Sequence, residues 1–157
     1  MDITSIFPAG HKLELIGKMA VSLVSPPSIL LVDDNPDLTG LFSQYLRKAG
    51  HAVATAGDGL EGLEIFLQNP GSIRLLVSDI DMPRMSGTEL ARIVAREGCL
   101  VLLITGLAFP PKELDPTWNF LAKPFTPRVL LETIEQILAR SSGPTQPGVA
   151  VRASDSG

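Results

Sequence analysis

Short apolar runs alternate with helix-like repeats of apolar residues through the middle of the chain. The run Ile29–Val32 (ILLV) is continuous, which is typical of a strand covered on both faces. The next segment carries apolar residues at helical spacing and is followed by Gly50, a common helix stop. We expect the apolar positions of this helix to lie on one face; they are Leu38, Leu41, Phe42, Tyr45 and Leu46.

The same alternation repeats along the chain. Strand-type runs are predicted at 51–56, 73–78 and 100–104. The helices between them end at residues 69–71 and at Gly98. Their apolar positions are Leu60, Leu63, Phe66 and Leu67 in the second helix and Leu90, Ile93 and Val94 in the third, which is predicted over 86–97.

The region after the fourth strand departs from this alternation. Pro110, Pro111 and Pro116 stand where a fourth helix would be expected, and proline disrupts helix interiors. The sequence therefore predicts a short or degenerate fourth helix, at best one turn near 112–114. A short fifth strand is predicted at 119–122.

A last helix is predicted to begin at Thr126, a capping residue that is followed by proline at the first helical position. Its buried face is predicted to consist of Val129, Leu130, Thr133, Ile134, Ile137 and Leu138. Strand–helix alternation across 28–140 predicts a doubly wound α/β domain, in which helices cover both sides of an open, five-stranded parallel sheet.

Acidic residues follow two of the predicted strands. Asp33 and Asp34 end the first strand, and Asp79 and Asp81 follow the third in the sequence LVSDIDMP. Right-handed crossovers place the carboxyl ends of all parallel strands at one edge of the sheet, where ligands bind. Clustered carboxylates repel one another unless a cation lies among them. Hard oxygen ligands of this kind suit Mg²⁺.

Two further polar residues end the remaining strands. Thr105 follows the fourth strand, and Lys123 follows the fifth. A hydroxyl and an ammonium opposite a metal ion form a clamp for a phosphoryl group. A carboxylate can itself act as the nucleophile and form an acyl phosphate. The pattern therefore indicates phosphoryl chemistry at this edge.

Composition narrows the functional classes. The net charge of −4 argues against a nucleic-acid-binding protein, which normally presents a basic face. The single cysteine, Cys99, cannot form an internal disulfide and is expected to be a buried small residue. The apolar segment 13–24 is interrupted by charges and is shorter than the ~20 residues that span a bilayer. We expect a cytoplasmic protein that does not insert into membranes.

Four segments together resemble one family. The segments ILLVDDNP, LLVSDIDMPRMSG, VLLITG and FLAKPF occur in the order found in the receiver domains of two-component response regulators. The chain is similar to that family over residues 28–140. The resemblance implies a flavodoxin-like sheet with strand order 2-1-3-4-5.

The resemblance also implies a role for each acidic residue. Asp79 matches the phosphoacceptor, which attacks a phosphohistidine on a partner kinase. Asp34 matches a direct Mg²⁺ ligand, and Asp33 matches the acidic neighbour that often holds the metal through water. Asp81 matches the position whose backbone carbonyl binds the metal, while its side chain faces the entrance of the site.

Further roles are implied on the other side of the site. Thr105 matches the switch hydroxyl, Lys123 matches the ammonium that pairs with the phosphoryl group, and Phe120 matches the aromatic residue whose rotamer reports the state. The bond between Lys123 and Pro124 is expected to be cis. Leu107 is predicted to hinder water at the phosphate entrance and so to slow dephosphorylation.

The sequence also predicts the domain limits and the partners. We expect an N-terminal extension at 1–27, a receiver domain at 28–140 and a disordered tail at 141–157. The expected partner is a sensor histidine kinase or a histidine phosphotransfer protein, together with a downstream protein target. The interval from Thr105 to Lys123 is shorter than usual, as in receivers fused to hybrid histidine kinases, which favours a relay role. A stand-alone receiver is expected because the segment after Arg140 is not predicted to fold into a second domain.

Two alternative functions remain open from the residues. A pseudo-receiver would be a binding scaffold without phosphorylation, although such proteins usually lose one of the acidic, threonine or lysine residues. A haloacid-dehalogenase-type phosphatase would use Asp79-Ile80-Asp81 as its D-x-D motif. In that family the motif ends the first core strand, whereas here it ends the third.

Overall fold

The computed structural model describes residues 26–106, 113–141 and 150–151. These residues contain six strands and four α-helices. The strands are β1 Ile29–Val32, β2 Val53–Ala56, β3 Leu75–Asp79, β4 Leu100–Thr105, β5 Asn119–Ala122 and β6 Ala150–Val151. The helices are α1 Pro36–Lys48, α2 Gly59–Gln68, α3 Gly87–Arg96 and α4 Pro127–Arg140.

The strands form one parallel sheet in the order β2-β1-β3-β4-β5-β6. Alternate strand residues point to opposite faces, so Ile29 and Leu31 enter one apolar cluster while Leu30 and Val32 enter the other. Helices α1 and α4 cover the first face, and α2 and α3 cover the second. The predicted doubly wound α/β fold with the flavodoxin-like order 2-1-3-4-5 is confirmed.

Helix α1 forms in the segment where the sequence predicted a helix, but its buried face is different. The Asn35 side chain accepts hydrogen bonds at the helix start, and Pro36 occupies the first turn. Phe42 is buried as expected, whereas Leu41 is 52% exposed. The expectation that all five apolar positions share one buried face was therefore wrong for Leu41 and also for Tyr45.

The cause lies in the residues that replace them on the buried side of α1. Thr39 and Ser43 are buried there, and their hydroxyls donate to carbonyls one turn earlier in the helix, at 3.0 and 3.1 Å respectively. A hydroxyl that is satisfied locally can be buried at little cost. The spacing of apolar residues alone therefore predicted the wrong buried face of α1.

Helix α2 shows a similar difference. Leu60 and Leu67 were expected to mark its apolar face, but they are exposed, and Leu67 is 65% exposed. The buried positions are Gly59, Gly62 and Phe66. A β-carbon on Gly62 would lie only 3.0 Å from a side-chain atom of Leu90 on α3. The close approach of two helices, and not the number of leucines, decides which side of α2 is buried.

The connection between β4 and β5 contains a turn within its described residues, 113–118. The Asp115 carboxylate accepts hydrogen bonds from the Thr117 backbone at 2.8 Å and from its hydroxyl at 2.6 Å. Trp118 is 6% exposed and packs in the same cluster as Phe120, with Leu114 beside them. The expected helical turn at 112–114 lies partly outside the described residues, since Lys112 is not among them.

Strand β6 was not predicted. Its residues pair in parallel with Phe120 and Leu121 of β5, within the segment 141–157 that was expected to be a disordered tail. An edge strand exposes unpaired N–H and C=O groups that can accept another strand, so a two-residue pairing can form without a recognisable sequence pattern. Residues 1–25, 107–112, 142–149 and 152–157 lie outside the described residues, so the proposed domain limits stay a prediction.

Two smaller expectations can also be compared with the structure. Cys99 is buried, as predicted for a small residue in an apolar run. Within the parts of the chain that the structure describes, no helix is both long enough and apolar enough to cross a membrane.

Candidate functional site

Three carboxylates meet at the carboxyl edge of the sheet. Asp33 and Asp34 come directly after β1, and Asp79 is the last residue of β3, the strand beside it. Each offers one carboxylate oxygen, and these oxygens all lie within 4.8 Å of one another. Asp33 and Asp79 are buried, and Asp34 is exposed. We call these three residues the acidic rim.

A cation from another strand end at the same edge reaches the acidic rim. The Nζ atom of Lys123, directly after β5, donates to Oδ2 of Asp79 at 3.0 Å. The Lys123 backbone N–H also donates to the Thr105 carbonyl at 2.8 Å, which ties the ends of β5 and β4 together. The peptide bond between Lys123 and Pro124 is cis, as expected. The predicted convergence of these distant residues is therefore confirmed for the acidic rim and Lys123.

The charges at the site shift two pKa values. Burial raises the pKa of Asp33, and the negative charges of Asp79 and Asp34 raise it further, although a hydrogen bond from the Asn35 backbone opposes them. Burial alone would lower the pKa of Lys123, but its hydrogen bond to Asp79 and the surrounding carboxylates raise the pKa overall. The site thus favours a bound positive charge.

The donor set fits Mg²⁺. Carboxylate oxygens from neighbouring strand ends are the hard ligands that this ion takes, with water and phosphate oxygens completing its octahedron. Repulsion within the acidic rim would be relieved by a divalent cation. The Asp81 carboxylate is exposed and does not belong to the acidic rim. The expected role of the Asp81 backbone carbonyl in holding the metal stays a prediction.

The remaining predicted residues lie beside or behind the acidic rim. Thr105 is the last residue of β4 and is buried. Phe120 is buried on the face covered by α2 and α3, so its ring belongs to the apolar cluster in this conformation. Leu107 lies outside the described residues, and its predicted effect on water access stays a prediction.

Gly87 is a residue that sequence reasoning missed. A β-carbon at this position would lie 2.0 Å from the carbonyl oxygen of Asp79. The Gly87 N–H donates to the Ile80 carbonyl at 2.9 Å, so α3 begins directly against the end of β3. The signal was present in the segment MPRMSG, where glycine follows the helix-capping Ser86. Only the absence of a side chain allows this approach.

Comparison with known proteins agrees with the resemblance found in the sequence motifs. The family model for the response regulator receiver domain matches residues 29–135. A chemotaxis protein CheY homolog of Campylobacter jejuni is 30% identical over 130 residues, covering 73% of this chain and 95% of that protein. The response regulator receiver protein CpdR of Brucella abortus is 34% identical over 116 residues, covering 70% of this chain and 95% of that protein.

A longer relative is matched only in part. The transcriptional regulatory protein GlrR of Escherichia coli is 32% identical over 126 residues, covering 76% of this chain and 28% of that protein. The chain therefore aligns with less than a third of the length of this regulator.

Solved structures show the same fold. CheY4 of Vibrio cholerae superposes with a TM-score of 0.63 at 30% identity, covering 72% of this chain and 99% of that chain. The receiver domain of the hybrid histidine kinase CckA gives 0.61 at 32% identity, covering 70% and 97%. The response regulator TrrA of Thermotoga maritima, solved in complex with Mg²⁺-BeF, gives 0.60 at 27% identity, covering 71% and 98%.

Proposed function

Because the chain belongs to the family of response regulator receiver domains, we propose that it accepts a phosphoryl group on Asp79 in a two-component phosphorelay. The donor is the phosphohistidine of a sensor histidine kinase or of a histidine phosphotransfer protein. One observation carries the proposal: Lys123 lies 3.0 Å from the Asp79 carboxylate, which itself lies within the acidic rim. Members of this family act as signalling domains and are not classical enzymes.

The chemistry follows from these contacts. A carboxylate oxygen of Asp79 forms a bond to phosphorus, while the bond from phosphorus to the histidine nitrogen breaks. The imidazole keeps the electron pair and takes up a proton. Asp33, Asp34 and Asp79, with the Asp81 carbonyl, would hold Mg²⁺, which would neutralise the phosphoryl charge. The Mg²⁺-BeF complex of TrrA supports this assignment by similarity.

Lys123 and Thr105 act on the product. Phosphorylation replaces the carboxylate that Lys123 contacts with an acyl phosphate, so the ammonium can pair with a phosphoryl oxygen instead. The Thr105 hydroxyl would then hydrogen-bond a second phosphoryl oxygen. Movement of Thr105 and a change in the Phe120 rotamer would bias a pre-existing two-state equilibrium of the sheet edge. The output is a changed protein surface, which a downstream partner binds.

A labelling assay tests the proposal. The wild-type chain should form an acid-stable, alkali-labile adduct with acetyl phosphate in the presence of Mg²⁺, and EDTA should prevent it. Asp79→Asn should abolish the label, while Asp81→Asn should retain it because the exposed Asp81 carboxylate lies outside the acidic rim. Label that persists in Asp79→Asn would remove Asp79 from its role.

A second measurement separates a receiver from a scaffold. Beryllofluoride with Mg²⁺ should shift backbone amide resonances of Thr105 and Phe120 in the wild type. A pseudo-receiver would show neither these shifts nor the label. As part of the same proposal, a histidine kinase partner places the protein in the cytoplasm, where it signals by protein contact or phosphate relay.

A further inference from the structure

The loop between β3 and α3 contains a strained turn. We call residues 80–86 the entrance loop, because they follow Asp79 and include Asp81. Arg84 has a φ of 67°, and the Met85 N–H donates to the Pro83 carbonyl at 2.8 Å, which closes a three-residue turn around Arg84. This conformation is uncommon and unfavourable for a residue other than glycine. Some other contact must therefore stabilise it.

The Arg84 side chain supplies such a contact. Its Nη2 atom donates to Oδ2 of Asp58, the N-cap residue of α2. The other carboxylate oxygen, Oδ1 of Asp58, accepts from the Glu61 N–H at 2.9 Å. The hydrogen bond from Arg84 is the main reason why the pKa of Asp58 is lowered. One buried carboxylate therefore joins the start of α2 to the entrance loop.

Backbone packing reinforces the same junction. A β-carbon on Gly59 would lie 2.4 Å from the Met85 carbonyl oxygen, so the entrance loop rests directly on the first residue of α2. Met82 and Met85 also pack against the apolar cluster on this face. At its far end, the loop is held where Gly87 meets Asp79. Between these anchors lies Asp81.

We propose that the ion pair between Arg84 and Asp58 positions the entrance loop so that the Asp81 carbonyl faces the metal, making Arg84 a positioning residue for Mg²⁺ binding. The inference rests on the proposed function, because it concerns the same metal. Arg84 does not touch the metal or the phosphoryl group. It acts by holding the backbone that does, as outer-sphere partners hold metal ligands in other proteins.

Two substitutions remove the ion pair without removing its neighbours. Asp58→Asn keeps the oxygen that caps α2 but loses the charge. Arg84→Gly keeps, and relaxes, the positive φ but loses the guanidinium. Each should weaken Mg²⁺ binding about 10-fold by calorimetry, the lower end of what outer-sphere partners contribute. The double variant should bind no more weakly than either single variant, because both remove one contact.

A matched control and a metal-free measurement complete the test. Glu132→Gln removes the exposed ion pair with Arg128, where the atoms lie 3.0 Å apart, and should leave the Mg²⁺ dissociation constant unchanged. Without Mg²⁺, amide hydrogen exchange in the entrance loop should be faster in Asp58→Asn and Arg84→Gly than in the wild type. Arg84→Gly should do this without loss of global stability, which a purely structural role would not predict.

The outcomes separate the two proposals. Wild-type Mg²⁺ affinity in both Asp58→Asn and Arg84→Gly would overturn the inference and leave the proposed function intact. Failure of the wild type to bind Mg²⁺ would overturn the proposed function and the inference with it.

Discussion

The two halves of the domain, residues 29–96 and residues 100–140, cover the same sheet by different means. In the first half, α1, α2 and α3 each pack one face on the sheet. In the second half, the described part of the connection between β4 and β5 is a turn that places Trp118 and Leu114 in the cluster that α3 also covers. Within the described residues 113–118, these two side chains cover the part of the sheet where a fourth helix was expected.

The residues of the functional site are also divided between the two halves. The first supplies the three carboxylates of the acidic rim, and the second supplies Thr105 and Lys123. The site is complete only when the two halves pack together, so β5 must stay in register with β4. In the described part of the second half, one large side chain, Trp118, covers the sheet beside β5 while the functional edge is kept.

The largest expected effect concerns that side chain. Trp118→Ala should lower the free energy of unfolding by about 4 kcal/mol, because it empties a large buried volume. Val94→Ala, on the buried stripe of α3, should cost roughly 2 kcal/mol, since a helix distributes its contacts over several residues. Urea unfolding followed by circular dichroism measures both. Equal losses of unfolding free energy would contradict the contrast between the two halves. The loss in Trp118→Phe should fall between those of Trp118→Ala and Val94→Ala.

The next effect concerns the approach of α3 to β3. Gly87→Ala should destabilise the protein by about 3 kcal/mol, because the new methyl group would overlap the Asp79 carbonyl. Gly40→Ala in α1 is the matched control, since a β-carbon there meets nothing within 4 Å. It should stabilise the protein by up to ~1 kcal/mol through helix propensity. Thermal unfolding of the two variants measures these changes in stability. A Gly87→Ala protein as stable as the wild type would show that α3 does not pack tightly against the end of β3.

A smaller effect is expected within the acidic rim. Asp33→Asn should stabilise the Mg²⁺-free protein at pH 7 by about 1 kcal/mol, the size of one screened charge contact, while weakening Mg²⁺ binding. The folded pKa of Asp33 is raised above its usual 3.8, so its ionisation costs stability as pH rises from 3.8 through the folded value. The two proteins should therefore be equally stable at pH 3 and diverge at higher pH. Denaturant titrations at several pH values without Mg²⁺ would show this, and a gap that stays constant with pH would contradict it.

The smallest effect concerns the turn in the second half. Asp115→Ala should cost about 0.5 kcal/mol, because its hydrogen bonds to Thr117 are exposed to solvent. The hydrogen bond from the Thr117 hydroxyl is the main cause that lowers the pKa of Asp115 below 3.8. The contribution of the ionised Asp115 to stability is therefore complete above pH 3.8 and is lost as pH falls through the lowered pKa. Asp115→Asn keeps an acceptor oxygen but lacks the charge, so near pH 7 it should lose only part of this stability; a loss equal to that of the alanine variant would assign the effect to charge alone.

The sheet and its functional edge could be predicted because they follow from local pattern and chain topology. Ile29–Val32 and Asn119–Ala122 were predicted with the bounds that the structure shows. Once the strands are parallel, their carboxyl ends must lie at one edge, which brings Asp79 and Lys123 together. No detail of side-chain packing was needed for that conclusion.

The helix faces could not be predicted as well. Leu41 and Leu67 are apolar but exposed, whereas Ser43 and Gly62 are buried. Apolar periodicity identifies a helix, but it does not choose between two adjacent stripes when small or locally satisfied residues can be buried. That choice depends on how closely the neighbouring helix approaches.

Local pattern and chain topology were enough to predict the alternation of strands and helices, the short link before β5 and the residues gathered at the sheet edge. The pairing of Arg84 with Asp58, the contact of Gly87 with Asp79 and the sixth strand became visible only in the folded structure. The difference lies in the distance along the chain over which each kind of interaction acts. Periodicity and turn chemistry act over a few residues, whereas these contacts join elements whose separation is fixed only when the two apolar faces of the sheet are covered.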